Sequence, residues 1–229
     1  MKIAILDLCI WLPEYQYDQP RFGALLADWL KRGLPEAELT VLSIVDGNPL
    51  PAPTDYDGYL ISGSEQGVYN TPHWMAPLRV FLPRVKEAGL PMFGVCFGHQ
   101  ILADVFGGKA EKVPENAIGV REFKLNGQVQ TGHVWHGDQV TKVPPGATVI
   151  GRADYCPIAA LSYDFPAMSV QFHPEYPPDF VSTFIERSKG DVLDPDAATT
   201  AIEAFDNSDV SPDLFAAQAA EFFTEHILG

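Results

Sequence analysis

Three cysteines and six histidines are the side chains of this 229-residue sequence best suited to covalent chemistry, and their placement sets Cys96 and His173 apart. Cys96 lies within Leu90-Pro91-Met92-Phe93-Gly94-Val95-Cys96-Phe97-Gly98-His99-Gln100. A short apolar run ends at this cysteine and helical spacing follows over residues 97–106, so the pattern predicts a thiol presented at a strand-to-helix turn. Gly94 and Gly98 bracket it, which suits a nucleophile elbow in which the backbone passes closely and the side chain stands clear. The free N–H groups at the start of the helix would then face the sulfur. An inert core cysteine is the competing reading.

A thiol nucleophile needs a base and a group that orients the base. His173 follows the strand-like run 167–172, and Glu175 lies two residues on, with Pro174 keeping the backbone extended between them. Side chains at that spacing share one side of an extended chain, so the carboxylate can accept an imidazole N–H and select the tautomer. Two backbone N–H groups are candidates to hold an oxyanion: that of Phe97, and that of Ser64 in the turn Ser62-Gly63-Ser64. The other histidines read differently. His99 is expected to pack or hydrogen-bond, and His73 and His226 to be solvated. His133 and His136 flank Trp135 without a matched third ligand, so no metal site is expected. Cys9 and Cys156 read as structural. No glycine-rich phosphate loop is present, so no nucleotide cofactor is expected.

The elements that must position these groups alternate over the first half. Residues 2–8, 39–45, 59–61 and 92–96 read as strands, and 22–31, 74–88 and 100–106 as helices. Pro77 and Pro83 suggest that the helix over 74–88 is kinked or double. This order predicts an α/β fold with an open, mostly parallel sheet, helices on both faces and reactive groups at the carboxyl ends of strands. Beyond Gly107-Gly108 the pattern becomes short antiparallel strands (117–123, 128–131, 134–135), with Asn126-Gly127 as a hairpin turn. Strands over 147–151, 158–163 and 168–172 and a helix over 180–188 follow. Residues 194–207 and 212–227 read as helices of a C-terminal tail. The division expected is a catalytic domain over 1–188 and an acidic helical extension over 189–229 packed on it.

Composition narrows the classes. The net charge is −15, and from Glu186 onward ten carboxylates face only Arg187 and Lys189. That field disfavours nucleic acid and anionic membrane as partners. No apolar run is long enough to cross a bilayer, and the start reads as a strand, not a signal peptide, so a cytoplasmic location is expected. Three scattered cysteines suggest neither a disulfide framework nor a cysteine-rich metal site.

Gly94-Val95-Cys96-Phe97-Gly98-His99-Gln100 and Gln171-Phe172-His173-Pro174-Glu175, with Cys96 and His173 77 residues apart, resemble the two signatures of class I (triad-type) glutamine amidotransferases. The resemblance runs from about residue 2 to residue 188 and implies a flavodoxin-like fold. It implies Cys96 as nucleophile, His173 as base and then acid, Glu175 as orienter, and an oxyanion hole from the Ser64 and Phe97 N–H groups. It further implies that Gln100 and the main chain of Trp135, His136, Gly137 and Asp138 bind the glutamyl moiety. The Trp135–Asp138 stretch is most similar to the amidotransferase domain of GMP synthase. Ser64 replaces a glycine of the usual turn, which suggests an oxyanion amide that is flipped or less free at rest. That turn is closer to a stand-alone branch that includes plant γ-glutamyl peptidases. The function implied is therefore glutamine hydrolysis through a thioester, releasing glutamate and ammonia; the alternative is a γ-glutamyl peptidase acting on a peptide or amine conjugate. No synthase domain follows residue 188, so a separate synthase or activating subunit is the partner implied. The aromatic and proline-rich segment 11–22 is the stretch expected to shape the leaving-group pocket, if it overhangs the elbow.

Overall fold

The computed structural model describes residues 1–10, 20–190, 194–206, 210 and 212–229. The first half runs β1 (Lys2–Asp7), α1 (Phe22–Gly33), β2 (Glu38–Ser43), β3 (Gly58–Ile61), α2 (Met75–Glu87), β4 (Met92–Val95) and α3 (Phe97–Val105). The second half runs β5 (Lys109–Leu125), β6 (Gln128–Lys142), β7 (Ala147–Ala153), β8 (Cys156–Tyr163), β9 (Ala167–Val170), α4 (Pro178–Ser188), α5 (Pro195–Asp206) and α6 (Pro212–Leu228). The nine strands among the described residues join one sheet in the order β2-β1-β3-β4-β9-β8-β7-β5-β6. From β2 to β9 neighbours are parallel, and from β9 to β6 they are antiparallel.

The parallel strands are apolar because both of their faces are covered. Ile3, Ile5, Leu60, Phe93 and Val95 face α1 and α6, packing with Leu26, Trp29, Phe215 and Phe222. Ala4, Leu6, Tyr59, Ile61 and Met92 face the other way, onto Leu78 and Leu82 of α2 and Ile101 and Leu102 of α3. Each large side chain so buried stabilises the fold by about 1.5–3 kcal/mol. A third cluster links Leu25 and Tyr176 to Phe180 and Ile185 of α4 and Ala198 of α5.

Two local expectations change. The helix over 74–88 is one continuous element, not a double one. Pro77 falls in its first turn, where the missing N–H has no partner to lose, and Pro83 removes one hydrogen bond while Phe81, Leu82 and Val85 around it are buried. The short strands read over 117–135 are parts of two long ones, of 17 and 15 residues. Register shifts between Lys109 and Ala110 and between Lys112 and Ala117 interrupt the two-residue alternation on which a strand reading depends. Asn126 and Gly127 close this hairpin with φ of 48° and 84°, the two positive values of a type I′ turn.

Candidate active site

The carboxyl ends of β1, β3, β4 and β9 lie side by side, and Ser62, Cys96 and His173 emerge there. Cys96 has φ 53° and ψ −104°, unusual for a residue with a side chain, and is the N-cap of α3. Its N–H donates to the Val170 carbonyl at 2.8 Å, and the Gly98 N–H donates to the Ser62 carbonyl at 3.1 Å, so the elbow is tied to both neighbouring strands. No side chain fits at either bracketing glycine: a Cβ on Gly94 would lie 2.5 Å from the Gly98 carbonyl oxygen, and one on Gly98 2.3 Å from that of Ile61. Phe97 opens α3, so helical geometry supplies no acceptor within the helix for its N–H.

His173 is held from three sides. Glu175 Oε1 lies 2.7 Å from Nδ1, and both side chains are almost fully buried. The His173 N–H donates to the His133 carbonyl of β6 at 2.8 Å. The Tyr176 ring stacks flat on the imidazole, 4.1 Å between centroids and 5° between planes. Burial opposes a charged imidazole, but the Glu175 carboxylate and the Cys96 sulfur together outweigh it and raise the His173 pKa to about 10. With Nδ1 engaged by Glu175, Nε2 is the nitrogen left for Cys96, whose sulfur is close enough to raise the imidazole pKa. A Cβ on Gly63 would meet His173 Cε1 at 3.1 Å and Cys96 Cβ at 3.7 Å, so the turn after β3 closes tightly over the pair.

A strip of polar groups lies beside the sulfur. The Trp135 carbonyl is 4.0 Å from Cys96 Sγ, while its ring turns away onto Phe184, 4.4 Å between centroids. Gln171 Nε2 points at the sulfur from 3.7 Å, and Gln100 Nε2 donates to the Asp138 carbonyl at 2.9 Å and to Gln171 Oε1 at 3.3 Å. Burial pulls the His136 pKa down to about 3, so its ring is neutral; Nδ1 donates to the Asp138 carbonyl at 2.9 Å and Nε2 accepts from the Tyr155 hydroxyl at 3.2 Å. Tyr69 donates to Asp138 Oδ1 at 3.2 Å, and burial raises the Asp138 pKa. Ser64 Oγ accepts the Gln66 N–H at 3.2 Å, and the Ile10 N–H donates to Glu65 Oε2 at 3.1 Å, which pins the turn from outside.

Residues 29–185 match the family model for glutamine amidotransferase class-I. The chain belongs to the class-I glutamine amidotransferases. It is 36% identical over 136 residues to a glutamine-hydrolysing GMP synthase of Azoarcus sp. strain BH72, covering 52% of this chain and 25% of that protein. The same enzyme of Vibrio vulnificus strain YJ016 is 36% identical over 129 residues, covering 52% and 24%. The chain thus spans about a quarter of the length of these relatives. The fold is also that of a glutamine amidotransferase from Methylobacillus flagellatus, with a TM-score of 0.75, 21% identity and coverage of 98% of this chain and 94% of that one. A Thermotoga maritima glutamine amidotransferase superposes with a TM-score of 0.77 at 16% identity, covering 100% and 98%.

Within this amidotransferase fold the residues singled out from sequence are spread over three strand ends, those of β3, β4 and β9, and one hairpin. Cys96, His173 and Glu175 adjoin one another, and Gln100, His136 and Asp138 form one hydrogen-bonded group next to them. Gly137 lies between His136 and Asp138 on β6. His99 is buried and neutral, its pKa pulled down to about 4 by desolvation, between Ser169 Oγ at 2.8 Å and the Ile158 carbonyl at 3.1 Å. Among the described residues no group of three or more His, Cys, Asp or Glu side chains could hold a metal ion, and no helix is long and apolar enough to cross a membrane. Residues 11–19 of the segment expected to shape the leaving-group pocket lie outside the described residues. Phe22 at its end packs against Tyr176 at 5.9 Å. Gln171 and Tyr176 are the site residues that sequence reasoning passed over. Tyr176 directly follows the His-Pro-Glu stretch and Gln171 lies two residues before His173, and an aromatic next to Glu175 was the available signal.

Proposed function

We propose that this chain hydrolyses the side-chain amide of glutamine through a glutamyl thioester on Cys96. The observation that carries the reading is the 2.7 Å His173–Glu175 contact beneath an elbow that presents Cys96 at positive φ. In this mechanism the Cys96 thiolate adds to the amide carbon, and the N–H groups of Phe97 and Ser64 hold the oxyanion. His173 gives its Nε2 proton to the departing nitrogen, so ammonia leaves and the thioester forms. His173 then takes a proton from water as the oxygen adds to the thioester carbon; glutamate leaves and the thiolate–imidazolium pair is restored. Glu175 keeps Nδ1 protonated throughout and stabilises the imidazolium. Gln100 and the main chain from Trp135 to Asp138 bind the glutamyl part of the substrate. The reading places this chemistry within residues 1–188, and a separate synthase subunit is the natural acceptor of the ammonia, since the similar proteins of known activity are glutamine-hydrolysing GMP synthases.

The test is glutamate release from glutamine, γ-glutamyl peptides and γ-glutamyl amines offered in parallel. Turnover of glutamine supports the proposal. Turnover of a conjugate with none of glutamine replaces it with a γ-glutamyl hydrolase using the same thioester.

A further inference from the structure

A cavity of about 410 Å³ opens on the α1 and α6 face of the sheet, behind the strand end that carries His173. Its position follows from how α6 is seated. Trp29 Nε1 donates to the Pro212 carbonyl at 3.1 Å, anchoring the start of the helix, while Ala216, Ala219 and Ala220 are small and buried. Phe215 and Phe222 reach the sheet, 4.7 Å from the Phe172 ring and 6.0 Å from the Phe93 ring. These four rings and Trp29 line the cavity, with Met168 and Val170 of β9.

The mouth has the opposite character. Asp164 enters from the turn between β8 and β9, and Glu221 and Glu225 come from successive turns of α6 on one helix face. All three are exposed, and among the described residues none of them has an ion pair or side-chain hydrogen bond. No described lysine or arginine lines the cavity. An occupant that buries an anion at this mouth is repelled, and a wholly apolar one leaves the carboxylates unused. A protonated amine meets them directly, and aromatic faces also favour cations.

We infer that this cavity binds a small arylalkyl amine, its ring among Trp29, Phe93 and Phe222 and its ammonium group at Asp164, Glu221 and Glu225. The inference is independent of what Cys96 does, because binding is read without turnover. The test is calorimetric titration of the full chain with 4-phenylbutylamine and with 4-phenylbutyrate, which share the apolar part and differ in the sign of the head group. The amine is expected to bind at least about tenfold more tightly than the carboxylate. In a Glu221→Gln, Glu225→Gln variant, changed only at exposed positions, that preference should fall to within about threefold, and added salt should weaken the amine in the parent chain but little in the variant. Gln218→Trp, at the half-exposed wall, should abolish binding of the amine by filling the space. Equal affinity for the two probes, no binding of the amine, a preference that survives the double substitution, or binding that survives Gln218→Trp overturns the inference.

Discussion

The parallel strands β1, β3, β4 and β9 and the antiparallel hairpin β5–β6 meet at the same place but constrain their residues differently. β3 and β4 are buried along their whole length, and the groups at the parallel strand ends are held by backbone hydrogen bonds across the sheet. The hairpin mixes buried and partly exposed positions along β6 and reaches the site through carbonyls, His136 and Asp138. Side chains at the ends of strands buried on both faces have little room to move, as a reaction geometry requires. The hairpin instead presents a row of hydrogen-bonding groups, which under the proposed function bind the substrate.

Substitutions at the two regions should separate kcat from KM. The largest effect is expected for Cys96→Ala, which should lower kcat on glutamine by about 10⁴-fold or more while leaving the thermal midpoint near that of the parent chain. Measurable wild-type turnover in that variant would remove Cys96 from the chemistry. Glu175→Gln should lower kcat by about 10²–10⁴-fold. It should also bring the His173 pKa down from about 10, since the carboxylate is the chief group raising it, which an imidazole NMR titration would read.

pH separates the buried histidines by sign, His173 against the other three. His133 and His136 of the hairpin, with pKa values pulled to about 4 and about 3 by burial, and His99, at about 4, are neutral in the fold. The unfolded chain takes up protons on these groups at about 6.5, so stability present above that pH is lost progressively as pH falls toward 4 and 3. His173 is raised, so its contribution is complete below about 6.5 and is lost as pH rises through about 10. Urea midpoints across pH should therefore fall on both limbs, with His136→Gln flattening the acid limb alone. The smallest effect is expected for Tyr69→Phe, which removes one hydrogen bond to Asp138. A loss of about 1 kcal/mol corresponds to a roughly fivefold rise in KM with kcat unchanged, and an equal fall in kcat would show that the hairpin also governs the chemical step.

The parallel half was legible in the sequence because buried strands and amphipathic helices carry strong periodicity, and because the elbow places its glycines and cysteine within a few residues. Glu175 was legible for the same reason: it acts on a histidine two residues away. The long hairpin looks like fragments in the sequence because its register shifts break the alternation. Tyr176 is not legible as a site residue because an aromatic residue carries no reactive group, and its stacking on His173 depends on the chain turning back after Pro174.

By itself the sequence determined the strand-to-helix turn at Cys96, the His173–Glu175 pairing and the alternation that makes the sheet. All three depend on neighbours in the chain, where spacing dictates geometry. Only the tertiary structure decided that Gly63 closes over Cys96 and His173, that Gln171 and Gln100 join the Asp138 carbonyl to the sulfur, and that α6 leaves an aromatic cavity rimmed by carboxylates. Those contacts join residues far apart in the chain, and their distances are set by how helices and strands pack.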